Sequence, residues 1–217
     1  MDSTGTKKPA VIAVSALISA LTWFALVMQF YLSMNLYMAQ GRTVAGALTE
    51  FFTYFTIQCN IITAAGLTAV ALGGFSKSFF FRPGVLTASA VYISIVFLVY
   101  NIALRGIAYP EGWARVADEL LHAVCPPLFV IFWLALVPKQ SIVWKDAFSW
   151  LWYPFFYLVY ALIRGALCVR YPYFFLNVIE YGYPRVFINI AILMLVFLGF
   201  SMLYVFIGKL TGKKVAA

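Results

Sequence analysis

The groups in this sequence with chemistry to offer are a row of hydroxyls, a carboxamide and an imidazole. Thr49, Thr53, Thr56, Asn60 and Thr63 recur through residues 49–63. Wound as a helix at 100° per residue, they fall within an arc of about 80°. That makes a polar stripe on an otherwise apolar rod, and lipid satisfies neither hydroxyls nor an amide, so the stripe must face other helices or a polar cavity. His122 is the only histidine. Asp118 and Glu119 precede it by four and three residues, so on a helix both carboxylates come within reach of the ring. A carboxylate there fixes the tautomer and raises the basicity of the imidazole, as the third member of a triad does. A threonine hydroxyl is a weak nucleophile that needs a base within about 3 Å. Pro126 and Pro127 remove two N–H donors just beyond the ring and predict a kink that frees carbonyls.

Other chemistries lack their residues. One histidine with Cys59, Cys125 and Cys168, none in a Cys-x-x-Cys pair, gives too few ligands for zinc. Haem on a single proximal histidine is the only cofactor the residues leave open, and no metal or cofactor is expected. No Gly-x-Ser-x-Gly, His-Glu-x-x-His or phosphate-loop pattern occurs.

The elements that must position these groups are membrane helices. The 217 residues have a mean hydropathy of +0.95, with 65% hydrophobic and 10% charged residues. A soluble domain is about half apolar and a quarter charged. The net charge of +8 does not point to nucleic acid, because the charges flank apolar runs where membrane topology uses them. Six spans, each near the roughly 20 residues a bilayer core requires, are predicted at 9–33, 51–72, 84–105, 118–137, 147–168 and 184–208. Turn chemistry separates them, as at Gly73-Gly74, Pro83-Gly84, Tyr109-Pro110 and Pro138-Lys139. The apolar run after Lys8 is too long for a cleavable leader and is expected to remain as a helix. The fold class is therefore all-α: one integral domain, residues 1–217, built as a six-helix bundle. With six alternating spans, all eight lysines lie on one side, which predicts both termini in the cytoplasm. Lys77 through Arg82 reads as an interfacial anchor.

Counting inward from the outer surface, Thr56 lies about 7.5 Å and His122 about 6 Å along their helices. The other spans send Asn101, Arg105, Arg164 and Asn189 to the same slab. Five helices thus direct Thr, Asn, Arg or His to one layer in the outer third of the bilayer, an internal site rather than a pore. Hydroxyls at this spacing also serve to glue helices, at about 1 kcal/mol or less per bond. Asn and Arg at membrane depth more often line a cavity. Asn60, Asn101 and Arg105 are candidate donors to an oxyanion, and Arg105 or Arg164 would suit a substrate carboxylate. Asn189 completes the expected substrate-binding set.

Three segments carry a resemblance. Tyr54-Phe55-Thr56-Ile57-Gln58-Cys59-Asn60, His122-Ala123-Val124-Cys125-Pro126-Pro127 and Tyr171-Pro172-Tyr173-Phe174-Phe175-Leu176-Asn177 resemble, in order and spacing, motifs of the androgen-induced-gene family of multipass membrane proteins. Leu104-Arg105 with Tyr109-Pro110-Glu111-Gly112, and Ile163-Arg164-Gly165 with Tyr171-Pro172, look like a bacterial branch. The resemblance implies a six-helix threonine hydrolase with Thr56 as nucleophile and His122 as base, in a bacterial inner membrane. It also implies a lipid substrate such as a fatty acid ester of a hydroxy fatty acid. The animal members carry an acidic residue shortly after the threonine, where this chain has Gln58, Cys59 and Asn60. The rival readings are a binder or transporter of a small amphiphile that uses the same pocket without a covalent step, and an accessory subunit in which the polar layer only joins helices.

Overall fold

The computed structural model describes residues 7–73, 79–107 and 109–212. Lys77, Lys213 and Lys214, part of the topology signal, lie outside them, as does the start of the expected anchor at Lys77. Regular structure among the described residues is helical throughout. Six stretches are long and apolar enough to cross a membrane: Pro9–Ala39, Phe55–Gly73, Pro83–Leu104, Gly112–Leu136, Asp146–Cys168 and Val178–Thr211. Each expected span has its counterpart. By internal contacts the chain divides into two compact units, Met1–Pro138 and Lys139–Ala217.

The first unit holds four of the six. Helix α1 (Lys7–Ala39) runs beside α3 (Phe55–Gly73). Ser19 links them by reaching the Ala64 carbonyl at 3.2 Å and the Thr68 hydroxyl at 2.7 Å, and the Trp23 indole donates to the same hydroxyl at 3.0 Å. Lipid tails are as apolar as leucine, so such polar clasps and close packing hold the helices together more than burial from water does. Helix α4 (Pro83–Val99) packs between α3 and α6 (Cys125–Leu136). The fully buried Trp133 donates there to Thr87 at 2.8 Å. Ala25, Leu26, Phe51, Ile57, Ala64 and Leu121 form a core cluster near the polar groups.

Two departures from regular helix shape this unit. The stripe at residues 49–63 is not on one helix. Helix α2 (Val44–Thr53), capped by Thr43, ends at Tyr54, whose φ of −75° and ψ of 128° are extended. Gln58 secures the break from both sides: its backbone N–H takes the Tyr54 carbonyl at 3.2 Å, and its side-chain amide donates to the Phe52 carbonyl at 2.9 Å. At ten residues, α2 is too short to cross a bilayer. Thr49 and Thr53 therefore ride on α2, and the crossing helix starts afresh at Phe55.

The second departure is a pair of π-turns. Helix α4 ends in one at Tyr100–Leu104, and α5 (Gly112–Glu119) continues through another at Leu120–Val124 into α6. Pro126 and Pro127 account for the latter. They supply no N–H to the turn before them, and a proline ring crowds the carbonyl four residues back. The helix widens, and the Cys125 N–H bonds the Leu120 carbonyl five residues back. The expected kink takes this form, and His122 sits inside it. Widened turns of this type recur at functional sites.

The second unit comprises α7 (Asp146–Ser149), α8 (Trp152–Cys168) and α9 (Val178–Thr211). Helix α8 closes with Val169 in the left-handed region at φ 55°. The Tyr171 ring then folds directly onto Gly165. Gly182, at φ 70° and ψ 159°, kinks α9 just before Pro184.

Candidate functional site

His122 is held on three sides. Its Nδ1 lies 3.0 Å from Asp118 Oδ1 and 2.9 Å from the Asp118 carbonyl oxygen. Two acceptors at one nitrogen assign the proton to Nδ1 and leave the Nε2 lone pair as the basic position. The Tyr100 hydroxyl donates to the other carboxylate oxygen, Asp118 Oδ2. The Tyr100 ring stacks on the imidazole, with centroids 4.1 Å apart and planes 15° from parallel. The two π-turns carry this contact, Tyr100 on one and His122 on the other.

Only one of the two carboxylates expected at the ring is there. Glu119 turns instead to Arg105, which meets it with two parallel bonds, Nη1 and Nη2 each 2.8 Å from a carboxylate oxygen. Arg105 Nε donates to Asn101 Oδ1 at 3.0 Å, and the Asn101 amide donates to the Phe97 carbonyl at 2.7 Å. The guanidinium carbon lies 5.0 Å from the centre of the Tyr100 ring. Hydrogen bonding to Glu119 raises the Arg105 pKa above its ordinary value. The pair lies towards solvent. Its effect is geometric: it ties the end of the third span to the fourth and clamps the outer face of Tyr100.

Thr56 occupies the first turn of α3 and is 8% exposed. The other threonines of the stripe's outer half satisfy themselves, Thr49 on the Ala45 carbonyl at 2.8 Å and Thr53 on the Thr49 carbonyl at 2.6 Å. Thr56 has no such partner. Its carbonyl four residues back belongs to Phe52, which lies across the break and is taken by Gln58. Its hydroxyl makes no hydrogen bond among the described residues.

Asn60, fully buried, connects the two halves. Its amide nitrogen donates to the Thr56 carbonyl at 2.9 Å and to the Leu121 carbonyl at 3.2 Å. The residue beside His122 and the backbone of Thr56 are thus both within reach of one amide. The Asn60 N–H groups, expected to serve an oxyanion, face those two carbonyls here.

Asn101 and Arg105 lie beside Tyr100, engaged as described. Arg164 and Asn189 belong to the second unit. Arg164 is buried and its Nη1 donates to the Arg170 carbonyl at 3.3 Å, while the Asn189 amide donates to the Phe175 carbonyl at 2.9 Å. Among the described residues no group of three or more His, Cys, Asp or Glu side chains comes together as a metal site would require. Sequence reasoning missed Tyr100 and the break at Tyr54. Tyr100 carried no signal beyond being one aromatic among many.

Comparison of the chain with protein-family models, curated proteins and solved structures finds no match.

Proposed function

We propose that this protein is an intramembrane hydrolase of lipid esters, with Thr56 as nucleophile and His122 as base. The reading is supported by an imidazole whose Nδ1 is bound to Asp118, by a threonine hydroxyl left uncommitted by a helix break, and by one amide, Asn60, that reaches both the Thr56 carbonyl and the residue before His122. His122 Nε2 removes the Thr56 proton as Oγ1 attacks the ester carbonyl. The resulting oxyanion is met by the first-turn N–H groups of α3, where the helix end also favours negative charge. Collapse expels the alcohol, which takes its proton from Nε2 and leaves an acyl ester on Thr56. Water then repeats the sequence, its proton passing to Nε2 and back to Thr56 as the acid departs.

The substrate class follows from the resemblance to androgen-induced-gene proteins: a fatty acid ester of a hydroxy fatty acid or a similar lipid, entering sideways between helices. The lysine distribution supports cytoplasmic termini, in a bacterial plasma membrane. A fluorophosphonate probe applied to the detergent-purified protein, followed by mass spectrometry, tests the chemistry. Modification is expected on Thr56 and is lost in His122→Ala. A well-folded protein that takes no label and releases no acid from lipid esters would instead be a binder of amphiphiles.

A further inference from the structure

On α3, the residues that follow Thr56 along the same face are Asn60 and Thr63, four and seven positions on. Asn60 is 0% and Thr63 2% exposed. Asn60 Oδ1 and Thr63 Oγ1 are both buried and have no hydrogen-bond partner among the described residues. Rotating the Asn60 amide offers no relief, since its nitrogen already faces two carbonyl oxygens, Thr56 and Leu121. Oδ1 is an acceptor only and requires a donor. A buried polar atom left unsatisfied is destabilising, and two on adjacent turns of one helix face are rare in a folded protein. Residues three apart on a helix have Cβ atoms about 5–6 Å apart, so one small molecule can bond both.

We propose that Asn60 Oδ1 and Thr63 Oγ1 form a subsite for a small O–H donor, a water molecule, one to two turns inside the nucleophile. This rests on the hydrolase reading and deepens it: the subsite stores the water that moves outward along the helix face to attack the acyl-threonine. Its O–H donates to Asn60 Oδ1 while Thr63 orients it. On attack the new C–O bond forms at the acyl carbonyl, the water proton goes to His122 Nε2, and the C–O bond to Thr56 breaks as Thr56 recovers that proton. An active site surrounded by lipid needs such a store, because the second half of the reaction consumes one water per turnover. An alcohol has the same O–H and would occupy the subsite as an alternative acyl acceptor.

The test uses Thr63→Val, which removes the hydroxyl and keeps the shape, with Thr63→Ser as the conservative control. Thermal unfolding of the full-length protein in detergent reads occupancy. If the hydroxyl is satisfied by bound water, Thr63→Val lowers Tm by about 2–4 °C and Thr63→Ser does not. A Tm at or above wild type shows an unpartnered hydroxyl and overturns the subsite. Stopped-assay kinetics on an activated ester read the role. The first-turnover burst of alcohol is unchanged, steady-state release of acid slows tenfold or more, and an acyl-protein adduct accumulates by intact mass. Methanol added to wild type yields methyl ester in competition with acid, and Thr63→Val loses both products in parallel. Acid release at the wild-type rate overturns the nucleophilic role. A wild type that never carries an acyl group on Thr56 overturns the hydrolase reading itself, whatever the Tm shows.

Discussion

Tyr100 and His122 form one stacked unit, 4.1 Å between centroids and 15° between planes, with Asp118 bonded to both. The Asp118 carboxylate is shared, one oxygen for the imidazole and one for the phenol. Tyr100 is thus a positioning residue: it fixes the carboxylate that fixes the tautomer.

Because His122 is the only histidine, ¹⁵N-histidine labelling puts a single imidazole into the NMR spectrum. In the wild type that ring is expected as the Nδ1–H tautomer. Tyr100→Phe keeps the stack and loses the phenol bond, so the two tautomers should mix and kcat should fall about tenfold with KM little changed. Tyr100→Leu loses both contacts and should do worse on each measure. An unchanged ring spectrum in Tyr100→Phe would remove the positioning role.

Asp118→Asn separates geometry from charge. An amide that donates to Nδ1 forces the proton to Nε2, so the ring can no longer act as a base. Hydrolysis should drop by about 10²–10⁴-fold. The Asp118 main-chain carbonyl accepts only from Nδ1–H, so the same tautomer change costs the ring that bond as well. A variant that keeps more than a tenth of wild-type turnover would mean that Nδ1 needs no carboxylate.

The membrane spans were legible because an apolar window of span length needs no partner to be recognised. Asp118 and His122 were legible for a similar reason, as i,i+4 spacing places them together on any helical turn. Tyr54 was not, because nothing at 53–55 is a glycine or proline. The break is held by Gln58, four residues on, whose two bonds exist only once the chain has turned. The pairing of Arg105 was not legible for a related reason. Its partner Glu119 is fourteen residues away, across a loop that lacks helical periodicity, and the rule of thumb for membrane arginines favoured a ligand over a neighbour. Glu119, assigned by spacing to the histidine, was drawn off by that same pair.

In the second unit, Gly165→Ala should be poorly tolerated, since its Cβ would enter the Tyr171 ring. Overpacking of this kind costs about 1–3 kcal/mol, or a Tm loss of about 2–4 °C per kcal/mol in a chain of this size. Adding Tyr171→Ala should recover part of the loss. If the double variant melts below Gly165→Ala alone, the clash is not the cause.

Lys139 supplies a pH dependence. It is 6% exposed, and burial pushes its ammonium pKa below the ordinary 10.5. The charged form is therefore disfavoured by folding. The cost is complete below the lowered folded pKa and fades as pH rises from that value towards 10.5. Wild-type Tm should gain on Lys139→Met at low pH less than at high pH, so the difference between them narrows on going from pH 7 to pH 10. A gap that stays constant across that range would show that Lys139 carries no such cost.

Thr56 and His122 should behave as one device. If the imidazole activates the hydroxyl, removal of either loses the same step, and each single variant should lower kcat/KM by about 10³-fold or more. The double variant Thr56→Ala/His122→Ala should then be within about threefold of either single, because paired catalytic groups are strongly non-additive. Independent roles would multiply the losses instead. Thr56→Ser should retain measurable turnover, as the hydroxyl remains and only a methyl is gone. Thr53→Ala is the internal control: its hydroxyl bonds the Thr49 carbonyl within α2, so activity should stay near wild type. His122 also braces Asp118 and Tyr100, so each variant needs a monodisperse size-exclusion profile and a Tm near wild type before its rate is read. A folded Thr56→Ala that still cleaves lipid esters, or still takes the fluorophosphonate at the wild-type rate, would falsify the nucleophile assignment. Thr56 would then be one more hydroxyl between helices, and the Asp118–His122 pair a polar anchor for a bound amphiphile.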